Sequence, residues 1–140
     1  MSEQQSLPLA GIKVVEFTHM VMGPAAGVLL ADLGAEVLKI EPLTGDNTRR
    51  LKGSGAGYFP MYNRNKQSLC VDLKSDAGKK VVLGLIEGAD ILIENFRPGA
   101  MDKLGFSYEA LSKSNPGLIY CSLKGFLDGP YEHRTALDEV

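Results

Sequence analysis

A chain of 140 residues, 44% hydrophobic and 23% charged, has the size of one ordinary domain, since about 100–200 residues per domain is usual. No run of about 18 apolar residues occurs, which excludes a membrane-spanning helix, and the opening MSEQQSLPLAG lacks the basic start and apolar core of a signal peptide. A net charge of −2 argues against general binding to nucleic acid or to an anionic membrane surface, so the default is a cytoplasmic protein acting on something small.

Residues 1–8 are polar and expected to be disordered. Residues 12–17 (IKVVEF) read as a strand buried on both faces. After the turn THMVMGP, Pro24 suits the first turn of a helix and Gly34 the position just past its end. Between them AAGVLLADL carries one charge, Asp32, so this helix lacks the polar face of an outer helix. Later sequence or a second subunit is expected to cover it. AEVLKIE (35–41) is a second strand. Residues 42–67, punctuated by Gly45, Gly53, Gly55, Gly57 and Pro60, form a long loop of the kind that is either functional or disordered.

SLCVDL (68–73) is a third strand. Ser75 caps a helix over residues 76–87, whose apolar positions are 77, 81, 82, 85 and 86 and whose stop is Gly88. DILIENF (90–96) is a fourth strand, Arg97-Pro98-Gly99 a turn, and 100–104 a short helix. Ser107 caps a further helix over 108–114, ended by Asn115-Pro116, and LIYCSL (118–123) is a fifth strand. The chain then passes through KGFLDGPY to ALDEV, which reads as the interrupted start of another helix. Strands alternating with helices predict an α/β fold with a mainly parallel sheet.

In such a sheet, ligands bind beyond the carboxyl ends of the strands. Those ends are Thr18 to Met22, Glu41-Pro42, Asp72 to Lys74, Asn95 to Arg97, and Lys124-Gly125. With Lys103, Arg64 and Lys66, the cations Lys74, Arg97 and Lys124 are expected to make this edge positive and suited to a phosphorylated ligand. Taken singly, each also reads as an ordinary solvated cation. Glu41 stands where a ribose-binding carboxylate would, but the first turn has no G-x-G-x-x-G. GSGAG at 53–57 neither follows a strand nor opens a helix, so a nicotinamide dehydrogenase is disfavoured. His19 and His133 are the two histidines, and neither has metal-ligand spacing, so no metal site is expected. His19, at a strand end, reads first as a turn residue and second as a base. No G-x-S-x-G elbow is present. Cys70 and Cys121 read as buried free thiols of a reducing compartment.

Five stretches, in order, carry a family resemblance: LAGIKVVEFTHMVMGP, LADLGAEVLKIEP, NRNKQSLCVDLK, ADILIENFRPGAMDKLGF, and NPGLIYCSLKGF with DGPY. With them the chain resembles the class III CoA-transferases (the CaiB/BaiF type), from Leu9 to Val140. FTH followed by GPA is nearest the formyl-CoA transferase branch. The resemblance implies that 9–140 is a CoA-binding, Rossmann-like domain with flanking helices. It would be the N-terminal part of a two-domain fold whose smaller domain lies beyond Val140 and whose full-length subunits interlock as a homodimer.

The resemblance further implies no tightly bound cofactor, with CoA and acyl-CoA as substrates and a small carboxylic acid as acceptor. An enzyme aspartate attacks the thioester, and an acyl-aspartyl anhydride and an aspartyl-CoA thioester follow, with backbone N–H groups holding the developing oxyanion. That aspartate belongs to a Gly-Asp segment expected beyond Val140, so the 140-residue chain alone is expected to be inactive. Gly45-Asp46 is in the wrong place for it.

Carried over residue by residue, the implied CoA site comprises Val21, Met22, Pro42, Val71, Asp72, Leu73, Lys74, Asn95, Phe96, Arg97, Lys103, Arg134, Thr135, Ala136 and Leu137. Asp138 and Val21 are the implied supporting residues near the reacting group, Asp138 reading equally as a helix-start aspartate. Formyl-CoA transferases carry glutamine where this chain has Val21 and arginine where it has Pro42, and both departures argue against formate and oxalate as substrates. Racemases of the same fold, acting on 2-methylacyl-CoA, carry a catalytic histidine where Leu137 stands, which disfavours that alternative. A non-catalytic CoA- or nucleotide-binding module is the alternative from another class.

Overall fold

The five β-rich apolar runs become strands, and the run between Pro24 and Gly34 becomes a helix. The computed structural model describes residues 7–127, 129–134 and 136. Strands β1 (Lys13–Phe17), β2 (Glu36–Glu41), β3 (Gln67–Cys70), β4 (Ile91–Glu94) and β5 (Ile119–Ser122) form one wholly parallel sheet in the order β3-β2-β1-β4-β5. Helices α1 (Met22–Asp32), α2 (Tyr58–Asn63), α3 (Asp76–Glu87), α4 (Ala100–Leu104) and α5 (Tyr108–Ser114) connect them. The order reverses between β1 and β4, the point at which α/β sheets open a crevice for ligands.

Side chains alternate across a strand, so each strand feeds two layers. Val15, Phe17, Ile40 and Leu92 pack with Val82 and Ile86 of α3, Met101 of α4 and Leu111 of α5. Phe17 and Phe106, both fully buried, stack at 5.5 Å between ring centres. Burial of such a ring contributes about 1.5–3 kcal/mol. Val14, Val37 and Ile93 face the other way, onto Ala31 of α1 and Ala35. Leu7 and Pro8, expected to be disordered, are described, and the side chain of Leu7 closes over Gly34.

The local stops work as read. Ser75 Oγ accepts from the Gly78 N–H and Ser107 Oγ from the Ala110 N–H, each satisfying a donor that the first helical turn leaves free. Asn115 donates to the Ile86 and Ala89 carbonyls, so the residue that ends α5 also ties down the end of α3.

Pro24 lies in the first turn of a helix, as expected. α1 begins at Met22, two residues before Pro24, because the Ala25 N–H closes the first turn on the Val21 carbonyl at 2.8 Å. Pro24 then occupies a position whose N–H would have no helical partner. β3 ends at Cys70 rather than Leu73: Val71 still gives its N–H to the Glu41 carbonyl at 2.9 Å, but the Asp72 carboxylate accepts from the Lys74 N–H and its carbonyl accepts from Ser75, so a tight turn takes residues 72–73 out of the ladder. Cys70 is exposed and Cys121 half-buried, not buried, because both lie on the outer strands of the sheet.

Residues 42–66 are not a structureless loop. They hold helical turns at Asn47–Arg50 and Gly53–Gly57 and the helix α2, which lies against α1. The Arg64 guanidinium and the Asn65 carboxamide both reach Asp32 at the end of α1. α2 does not cover all of α1: Met22, Leu29 and Leu33 are 48%, 63% and 45% exposed.

Candidate functional site

The crevice is built around the turn that leaves β1. Asn95, one residue past β4, accepts the His19 N–H through Oδ1 at 3.0 Å and donates through Nδ2 to the His19 carbonyl at 2.9 Å. The His19 ring lies 5.7 Å from that of Phe96. Beyond His19 the chain enters α1, whose N-terminus has no side-chain cap and no acidic residue in its first turn. Among the described residues neither the Val21 nor the Met22 N–H finds an acceptor. Val21 is half-buried and Met22 exposed, so these donors open onto the crevice, where a helix N-terminus favours negative charge.

Behind the turn lies a buried charged layer. Period-two alternation puts Glu16 and Thr18 on the same face as Val14, and Lys39 and Glu41 on the same face as Val37. That face is apolar at the amino end of the strands and charged at the carboxyl end. Glycines admit the charges. A Cβ at Gly27 would lie 1.8 Å from Glu16 Oε2, and one at Gly23 would lie 2.6 Å from the Thr18 side chain. Glu16 is met by Lys66 Nζ at 2.8 Å and Lys39 Nζ at 3.4 Å, and Lys39 also lies 3.2 Å from Asp46 Oδ2. The side chains of Glu16, Lys39, Asp46 and Lys66 are at most 4% exposed. Lys39 and Lys66 against Glu16 and Asp46, with Arg49 against Glu41, leave the layer neutral, the condition under which buried charge is tolerated. The ammonium groups also reach backbone: Lys39 donates to the Thr18 carbonyl at 2.5 Å and Lys66 to the Pro24 carbonyl at 2.8 Å. Burial pushes the Lys66 ammonium below its ordinary range, against the pull of Glu16.

Glu41 is not a ribose ligand. It is 1% exposed and its oxygens are taken by Arg49 at 2.6 and 2.8 Å, by Ser68 at 2.7 Å and by the Asp46 N–H at 2.7 Å. Burial works to raise its pKa, but these bonds outweigh it and bring it down to about 2. Asp46 is likewise committed, capping the next turn through the Thr48 N–H.

The positive edge is smaller than expected. Lys66 is spent on Glu16, Arg64 on Asp32, and Lys124 on Glu94 at 2.7 and 2.8 Å. Arg97, Lys74 and Lys103 are exposed and make no ion pair among the described residues. They stand at the ends of β4 and β3 and on α4. β3 and β4 are three strand intervals apart, about 14 Å at the usual spacing, with the His19–Met22 turn between them. The crevice therefore offers backbone donors at its centre and cations toward its sides. Among the described residues no cluster of three or more histidines, cysteines or carboxylates could hold a metal. A separate cavity of about 470 Å³ opens beyond β4 and β5, lined by Arg97, Glu94, Tyr120 and Lys124 among others, and by none of the first turn.

The profile of CoA-transferase family III matches residues 9–140. The chain belongs to CoA-transferase family III. It is 43% identical over 136 residues to the formyl-CoA:oxalate CoA-transferase of Streptomyces avermitilis, covering 94% of this chain and 33% of that enzyme. To the acetyl-CoA:oxalate CoA-transferase of Acetobacter aceti it is 44% identical over 138 residues, covering 95% and 36%. A CAIB/BAIF family protein from Brucella suis superposes with a TM-score of 0.89 at 43% identity, over 96% of this chain and 38% of that one. The hypothetical protein Rv3272 from Mycobacterium tuberculosis does so with 0.86 at 44%, over 94% and 38%. The chain thus spans about a third of the length of these family III proteins.

Of the residues that the family resemblance implies, the fold brings Val21, Met22, Asn95 and Phe96 to the switch point. It sets Val71 to Lys74 beyond β3, Arg97 and Lys103 beyond β4, and Pro42, exposed, beyond β2. Arg134 lies over the Tyr131 ring at 4.6 Å, and Ala136 packs over Gly125. Thr135, Leu137 and Asp138 lie outside the described residues. Reading by element missed Glu16, Lys39, Asp46 and Thr48, the residues that hold the central turn. For Glu16 and Lys39 the signal was present as parity, polar side chains at every second position beside Val14 and Val37; Asp46 and Thr48 lie past the end of β2, where parity says nothing.

Proposed function

We propose that the protein carrying this chain moves CoA from an acyl-CoA donor to a small carboxylic acid. The single observation behind this reading is the family III match along residues 9–140. The crevice agrees with it: unpaired N–H groups sit at its centre, and Arg97, Lys74 and Lys103 stand at its sides, where charge-assisted bonds to phosphates would form. In this reading the CoA phosphates lie toward the cations and the thioester lies at the Val21–Met22 turn.

The chemistry we propose is nucleophilic catalysis by a carboxylate. An aspartate oxygen attacks the thioester carbonyl and CoA leaves as its thiolate, giving an acyl-aspartyl anhydride. The thiolate then attacks the aspartyl carbonyl and releases the donor acid. The acceptor carboxylate opens the resulting aspartyl-CoA thioester by the same two steps in reverse. Each attack develops an oxyanion, which preorganised N–H groups stabilise. No aspartate among the described residues is free for this at the turn, since Asp46 is held by Lys39 and Thr48. The nucleophile is therefore assigned to the part of the protein outside this chain, together with the smaller domain and a partner subunit over the exposed face of α1.

The test is an acyl-CoA and carboxylate panel assayed by mass spectrometry of the CoA products, with the full-length protein and the 140-residue chain side by side. Exchange of CoA between acids by the full-length protein, a CoA adduct on its nucleophile, and no turnover by the short chain are expected. A full-length protein that epimerises 2-methylacyl-CoA, or that binds CoA without transferring it, would overturn the reading.

A further inference from the structure

Met20 sits in the left-handed region at φ +63°, which an unbranched apolar side chain adopts at a cost and which persists where the surroundings over-determine it. The other non-glycine residue so placed among the described residues is Asn65, a type that tolerates the conformation. The surroundings of Met20 are specific. Thr48 Oγ1 accepts the Met20 N–H at 3.1 Å, and the same hydroxyl reaches Met20 Sδ at 3.9 Å. One peptide earlier, Lys39 Nζ donates to the Thr18 carbonyl at 2.5 Å. Both residues are 1% exposed, so neither touches a ligand in the crevice. Both are anchored in turn. The Thr48 N–H is held by Asp46 and the Asp46 N–H by Glu41, while Lys39 lies between Glu16 and Asp46. The turn is thus locked from β2 and from the segment that follows it.

We propose that Thr48 and Lys39 are positioning residues for acyl transfer. By holding the left-handed Met20 peptide, they keep the Val21 and Met22 N–H groups aimed at the thioester carbonyl. This rests on the CoA-transfer reading above. It adds that the rate of transfer, rather than the affinity for CoA, depends on a buried hydroxyl and a buried ammonium.

The test uses the full-length protein with an acyl-CoA that the wild type turns over. Thr48→Val keeps the shape and removes the acceptor for the Met20 N–H, and Thr48→Ser keeps the acceptor. Misplacing a catalytic group slightly costs about 10–100-fold in rate, so Thr48→Val should lose that much kcat, with KM for acyl-CoA held within about threefold. Thr48→Ser should recover most of the loss. Lys39→Met should show the same split, with Lys39→Arg partly restored. If Lys39→Met does not fold, the Thr48 pair decides. Ile86→Ala, a core substitution far from the turn, serves as the stability control and should keep kcat despite a lower Tm. Wild-type kcat in Thr48→Val, a Thr48→Ser as slow as Thr48→Val, or an equal kcat loss in Ile86→Ala would overturn the inference while CoA transfer stands. A wild type with no CoA transfer would overturn both.

Discussion

Asn95 and His19 bind each other through two backbone–side-chain hydrogen bonds, at 3.0 and 2.9 Å, across the point where the strand order reverses. One carboxamide satisfies both the donor and the acceptor of the first residue beyond Thr18, and so joins the ends of β1 and β4. Asn95→Asp keeps the acceptor but sets a carboxylate oxygen against the His19 carbonyl. The bridge is solvent-exposed, so losing one of its bonds costs about 0.5–1.5 kcal/mol. Denaturant titration should show a loss of that order, and calorimetry should show weaker CoA binding. Unchanged stability and affinity would mean that the turn is held without this bridge.

The lowered pKa of Glu41 fixes an acid limb. Its carboxyl titrates near 4.5 when unfolded and about 2 when folded, so its contribution is complete above pH 4.5 and fades as the pH falls toward 2. At 1.36 kcal/mol per pKa unit this is on the order of 3 kcal/mol. Glu41→Gln should lower stability at pH 7 and flatten its dependence below pH 4.5, as read from urea unfolding at a series of pH values. An acid limb as steep as that of the wild type would assign it to other carboxylates.

Two helical glycines should respond oppositely to alanine. At Gly27 the new Cβ would meet Glu16 Oε2 at 1.8 Å, and that carboxylate is pinned by Lys66, Lys39 and Thr18. Gly27→Ala should therefore unfold the protein or leave it insoluble. Gly84, in the middle of α3, has nothing within 4 Å of such a Cβ. Gly84→Ala should stabilise by about 0.5–1 kcal/mol, measurable as a higher Tm.

Arg97, Lys74 and Lys103 can be tested by the ligand that lacks their partner. Exposed ion pairs are modest, so each alanine substitution should weaken CoA binding about three- to tenfold. The effect should shrink at high salt and vanish for pantetheine, which has no phosphate beyond its thiol arm. Equal losses for CoA and pantetheine would remove these cations from phosphate binding.

Val21 is placed at the proposed thioester end, on a helix start whose N–H groups lack protein acceptors. Val21→Gln adds a side-chain donor there and should shift the ratio of kcat/KM between acyl donors toward smaller acyl groups. An unchanged profile would place the reacting carbonyl elsewhere.

The sequence determined what depends on neighbours along the chain. Glycine and proline punctuation marked the five strands, and Ser75, Ser107 and Gly88 set helix ends by bonds spanning a few residues. Parallel alternation then brought the strand ends together on one edge, where the candidate residues were sought. Tertiary structure decided which charges are available there. Lys66 meets Glu16 across 50 positions and Lys124 meets Glu94 across 30, and no spacing rule reports such pairs. It also decided that 42–66 is ordered, because that segment is held by Glu41, Asp32 and Glu16 rather than by periodicity of its own. The physical reason is desolvation: a charge enters the interior only beside its partner, and the partner is known only once helix and sheet have packed.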